Sequence, residues 1–164
     1  MFIGKSFDYD ILKSDLKEKN MVIGIFGESC TGKSTLAEIL REKINCEVYT
    51  GKDYIRLAKN EAIAKKLFEK KLLEAVNGEN VIYVISEKEH LSLLPEGAFR
   101  VLVTADIELI KERFKQRMRG VMPPPVQMML EKKHGCFDQE ECDVHMISEK
   151  DNIEDIAKKI IESI

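Results

Sequence analysis

Two periodicities alternate along this chain. Met21-Val22-Ile23-Gly24-Ile25-Phe26 and Val81-Ile82-Tyr83-Val84-Ile85 are unbroken apolar runs of strand length, the pattern of strands buried on both faces. Arg100-Val101-Leu102-Val103 predicts another strand, Cys46 to Tyr49 a short one, and Val144 to Ile147 a weak one. Between these runs the apolar positions recur at helical spacing. Phe7, Ile11, Leu12 and Leu16 predict a helix over about 6–19, and Leu36, Ile39, Leu40 and Ile44 predict a second. A long helical stretch follows the Thr50-Gly51 turn and ends near Asn77-Gly78. Ile107 to Met118 predicts a basic helix, broken at Gly120 and Pro123-Pro124-Pro125. A short helix over Val126 to Lys132 and an amphipathic closing helix over Ile153 to Ile164 complete the order. Strands alternating with helices, each strand nearly all apolar, predict an α/β fold of three layers with a five-stranded parallel sheet.

No internal repeat and no linker rich in Pro, Gly or Ser divides the 164 residues. The expectation is one domain over 1–164, large enough to bury a core without staples. Charges of both signs are interspersed and the net charge is only -3, which argues against a nucleic-acid partner. The opening residues lack an apolar leader segment, and no stretch approaches the roughly 20 apolar residues of a membrane helix. The four cysteines (Cys30, Cys46, Cys136, Cys142) form no dense framework. Reduced thiols in a cytoplasmic protein with no membrane partner are the simpler expectation.

Chemistry enters at Gly27-Glu28-Ser29-Cys30-Thr31-Gly32-Lys33-Ser34, which fills every fixed position of the phosphate-binding P-loop pattern (Walker A). It follows a predicted buried strand and opens a predicted helix, the placement the motif requires. Glycines let backbone N–H groups turn inward, and the helix start adds partial positive charge. Gly27 through Thr35 are therefore the expected nucleotide-binding residues, with Lys33 on the β- and γ-phosphates of ATP and Ser34 on Mg²⁺. Cys30 lies near a helix N-terminus, where a thiol pKa can fall; a passive loop position is the simpler reading.

With this motif, two further segments make the chain resemble the P-loop nucleoside monophosphate kinases, the adenylate and cytidylate kinases among them. One is Thr50-Gly51-Lys52-Asp53-Tyr54-Ile55-Arg56, similar to a family segment in which a Thr-Gly turn opens a helix and an arginine holds the acceptor phosphate. The resemblance implies acceptor roles for Thr50, Gly51 and Arg56, with one extra residue before the arginine. The other is Ala105-Asp106 with Glu112-Arg113 and Arg117, similar to the segment leading into the family's lid, whose arginines clamp the transferring group. Arg113 and Arg117 are four apart and share a helix face, and Arg119 follows at the break; guanidinium forks suit phosphate oxygens. The lid is expected over about 118–135. The chain departs from the family after the third strand, where Ser86-Glu87-Lys88 replaces an aspartate and a glycine-proline-arginine turn. Glu87 could hold a metal-bound water there, or could be a surface residue.

A phosphate acceptor needs cationic clamps and no base, whereas a hydroxyl acceptor needs a carboxylate to take its proton. Arg56, Arg113, Arg117 and Arg119 serve the first and Asp53 the second. The arginine count favours a phosphorylated small-molecule acceptor, with a hydroxyl acceptor and a nucleotide-binding regulator lacking transfer as alternatives. His134, Cys136, Cys142 and His145 fall within 12 residues, but not in the paired spacing of a zinc knuckle. The methionines Met118, Met122, Met128 and Met129 read as packing under a lid, and Ser148 is placed near the nucleotide base.

Overall fold

The computed structural model describes residues 21–75 and 80–164, so the helix expected over about 6–19 lies outside the described residues. Five strands, β1 (Val22–Phe26), β2 (Cys46–Thr50), β3 (Asn80–Ile85), β4 (Phe99–Thr104) and β5 (Val144–Ile147), form one sheet. Every pairing is parallel, in the order β2-β3-β1-β4-β5. β1 and β3 run side by side in the middle, and their solid apolar sequences follow from burial on both faces.

Alternation of side chains assigns each face its own core. Val22, Phe26, Val81, Tyr83 and Ile85 point to one side, with Ala64, Phe68 and Leu72 of helix α2 (Glu61–Ala75). Ile23, Ile25, Ile82 and Val84 point to the other. There they meet Leu36 and Leu40 of α1 (Lys33–Lys43) and Ile156 and Ile160 of α5 (Ile153–Ser163). Gly24 gives way to a neighbour: a Cβ there would stand 2.5 Å from a Leu94 methyl. α3 (Ile107–Arg117) and α4 (Pro124–Lys133) form a satellite core of Ile110 and Leu130, with Phe114 and Val126 packed against it. Among the described residues no helix is long and apolar enough to cross a membrane.

Three details differ from the sequence pattern. The long helix expected after the Thr50-Gly51 turn is a 3₁₀ turn (Asp53–Leu57) followed by α2. The restart comes from Asn60, whose Oδ1 accepts from Ile63 N at 3.1 Å. The prolines do not all stay in a loop. Pro124 and Pro125 form the first turn of α4, where a missing N–H has no intrahelical partner to lose. A second 3₁₀ turn, Lys88–Leu93, follows β3 where no element was expected.

Phe68 is fully buried, with ring centroids 4.9 Å from Tyr49, 5.5 Å from Tyr54 and 4.8 Å from Tyr83. Urea unfolding should show Phe68→Ala costing roughly 3–5 kcal/mol, while Leu73→Ala, on the exposed face of the same helix, stays within about 0.5 kcal/mol.

Candidate active site

Ligands of open parallel sheets bind beyond the carboxyl ends of the strands, where the strand order reverses. Here that crevice lies beyond β1 and β3, and the loop leaving β1 fills it. Gly27 N donates to Ile85 O at 3.2 Å, which ties the loop to β3. A Cβ at Gly27 would stand 2.0 Å from Val103 O, so only glycine fits. Cys30 (φ 66°) and Gly32 (φ 104°) are left-handed, and together they curl the chain into the start of α1. Gly32 caps α1 without a side-chain acceptor, which leaves the first-turn amides of the helix to an external anion.

Lys33, 5% exposed, extends back along the loop. Its Nζ donates to Glu28 O, the same carbonyl that accepts from Thr31 Oγ1 at 2.9 Å. Burial pulls the Lys33 ammonium down to about 8; Arg117 adds to that pull, while Cys30 and Glu28 oppose it. The Glu28 carboxylate is engaged on the lid side, with Oε1 3.1 Å from His134 Nδ1 and Oε2 accepting from Gly135 N at 3.2 Å.

A cleft of about 90 Å³ over the loop is lined by Ser29, Cys30, Gly32, Lys33, Ser34 and Thr35, closed by Thr50, Val84, Ser86 and Arg117. It opens toward a wider one of about 720 Å³, where Arg113, Gln116 and Arg117 of α3 face Met146, Ser148, Asp151, Asn152 and Ile153 across the start of α1. Arg113 and Arg117 thus reach the same region as the P-loop from a distant part of the chain, and Arg113 Nη1 donates to Cys30 O at 3.1 Å. The cleft suits a polyphosphate: it offers free helix amides, a buried ammonium and a guanidinium. Its hydroxyl residues (Ser29, Ser34, Thr35, Thr50 and Ser86) are hard oxygen donors of the kind a phosphate-bound Mg²⁺ accepts alongside water.

Other expected site residues stand apart from this cleft. Asp53 Oδ2 accepts from Thr50 N at 2.9 Å and closes the turn after β2. Gly51 is fixed on both sides, its N–H donating to Val84 O at 2.9 Å and its carbonyl accepting from Tyr83 Oη at 2.8 Å. The Arg56 guanidinium lies 4.6 Å over the Tyr49 ring, an arrangement that occupies it on the edge of the sheet. Arg119 is exposed in a left-handed conformation just past α3. Glu87 is exposed and lies 3.7 Å from Lys133 Nζ, so Ser86 and not Glu87 borders the phosphate cleft. His145 Nε2 is 2.7 Å from Thr104 Oγ1, and among the described residues no group of three or more His, Cys, Asp or Glu side chains is placed to hold a metal. The sequence pattern missed Ser86 and Gln116 as lining residues, and it missed the His134 contact with the P-loop. The first two stand where strand ends and a helix face meet the motif, a signal available from topology alone.

No protein-family model matches this chain, and no curated protein matches it significantly. Solved structures do resemble it. An uncharacterized protein from Eubacterium ventriosum superposes with a TM-score of 0.64 at 20% identity, over 88% of this chain and 98% of the other. A gluconokinase from Sinorhizobium meliloti gives 0.59 at 15% identity, over 88% and 91%. Shikimate kinase from Aquifex aeolicus gives 0.54 at 23% identity, over 87% and 95%. With its five parallel strands and flanking helices, the chain has the three-layer P-loop kinase fold that these enzymes share.

Proposed function

We propose that this protein is an ATP-dependent small kinase that transfers a phosphoryl group to a hydroxyl of a small metabolite. The observation that carries this reading is the convergence of buried Lys33, the free first-turn amides of α1 and Arg117 on one small cleft. Bound ATP would supply the γ-phosphoryl group and Mg²⁺ would offset its charge. The loop amides and Lys33 would hold the phosphates, and Ser34 would ligate the metal. Arg117 would brace the transferred group, while Arg113 stiffens the loop through Cys30. Catalysis of this kind is mostly positioning and charge neutralisation.

The acceptor reading moves from the phosphorylated molecule favoured by arginine count to a hydroxyl, on two supports. A phosphate acceptor needs a cation beyond β2, and Arg56, the candidate there, is stacked on Tyr49. The gluconokinase and shikimate kinase neighbours also carry the names of metabolite kinases. Thr50 and Gly51 would then border the acceptor, and Asp53, held through Oδ2 by Thr50 N, would present Oδ1 as proton acceptor.

Consumption of ATP against a panel of small metabolites and nucleotides tests the proposal directly. Turnover that depends on a hydroxyl compound supports it; tight ATP binding with no turnover on any acceptor would leave a nucleotide-binding regulator. Lys33→Ala should abolish turnover, and Arg117→Ala should lower kcat more than it weakens ATP binding; equal losses would remove Arg117 from its role. Asp53→Asn should reduce kcat by about 10²–10⁴-fold with little change in ATP affinity.

Lys33 also sets a pH dependence. Its free ammonium titrates at about 8, and a bound polyphosphate raises that value, so affinity is complete below about pH 8. It falls as pH rises through 8 toward the bound pKa, by up to about tenfold per pH unit. Calorimetry near pH 8.5 in buffers of different ionisation heat should register proton uptake on binding. Identical heats would show that Lys33 does not take up a proton at the phosphates.

A further inference from the structure

A carboxylate inside a loop that holds phosphates runs against the loop's charge. Glu28 is such a residue, and its side chain is only 10% exposed. Both of its oxygens are engaged, by His134 Nδ1 at 3.1 Å and by Gly135 N at 3.2 Å. These partners lie just beyond α4, 106 and 107 positions along the chain. Phe137 anchors the same segment: it is 2% exposed and its ring lies 5.9 Å from Phe26, the last residue of β1. The Glu28 backbone carbonyl, meanwhile, is the one on which Lys33 and Thr31 rest. The lid's far end and the resting place of the phosphate-binding lysine therefore meet in one residue.

We infer that His134 is a positioning residue for the phosphate loop: its pairing with Glu28 screens that carboxylate from an incoming triphosphate and fixes the carbonyl against which Lys33 rests. The inference rests on the triphosphate reading above. As imidazolium, His134 cancels the carboxylate's charge; as neutral imidazole, it keeps the hydrogen bond but leaves a net negative charge beside the phosphates. Other charged or titratable groups surround the pair. Lys133 precedes His134 on α4 and is 3.7 Å from Glu87, and Lys88 is 3.6 Å from Glu140. Cys136 and Asp138 follow in the same segment, and burial raises the Cys136 thiol. Lys33 Nζ rests on the Glu28 main-chain carbonyl, and the Glu28 carboxylate opposes the fall of its pKa to about 8.

The test is calorimetry of Mg-ATP on the full chain at a single neutral pH, comparing each variant with the wild type. His134→Ala leaves Glu28 Oε1 without its side-chain donor. It should bind about tenfold more weakly than the wild type. Glu28→Gln should bind at least as tightly as the wild type. Glu28→Gln combined with His134→Ala should recover the affinity that His134→Ala alone loses, a non-additivity that simple loss of packing would not produce. Wild-type affinity in His134→Ala would overturn this inference alone; no binding by the wild type would overturn the triphosphate reading with it.

Discussion

A buried ammonium with a main-chain carbonyl as its partner is the interaction on which the rest of this structure depends. Lys33 sits at 5% exposure against Glu28 O, and burial holds its affinity for a proton below the usual lysine range. Such a group is costly to keep out of water unless something anionic arrives. The surrounding chain supplies the reason it stays there. Gly27 is wedged against Val103, the left-handed Cys30 and Gly32 complete the curl, and Arg113 ties Cys30 O from outside. Behind them, β1 and β3 are buried almost throughout, β1 over its whole length.

Much of this was legible in the sequence because the signals are local. An apolar run followed at once by two glycines, a lysine and a serine encodes strand, loop and helix start within thirteen residues, Val22 to Ser34. What was not legible depends on distant partners. No spacing rule joins Glu28 to His134, since neither residue type is unusual in its own segment and the contact spans most of the chain. The spacing of His134 from the nearby cysteines and histidine did not match a zinc knuckle, and nothing else in the segment pointed to its place against the Glu28 carboxylate. A carboxylate inside such a loop requires a donor, and that requirement was the one available hint.

The segment after β2 shows the same division. Thr50-Gly51 was recognisable as a turn, and the structure fixes it through Val84 and Tyr83. Arg56 was assigned through a family resemblance that needed one extra residue before it, and such a match does not say which way a side chain leaves a 3₁₀ turn. Arg56 lies within the 3₁₀ turn Asp53–Leu57 and its guanidinium stands over Tyr49. Tertiary packing of the aromatic cluster outweighs local helix preference there.

The hairpin of α3 and α4 has a consequence for traffic through the site. Its two helices are joined by Lys111 and Glu131 at 2.6 Å, the middle of α3 is tied to Cys30 O, and the residue after α4 is tied to Glu28. A flap pinned at mid-length and at its base would bend at its tip, between α3 and α4, more readily than it would lift as a whole. Molecules would come and go through the gap beside Ser148 and Ile153.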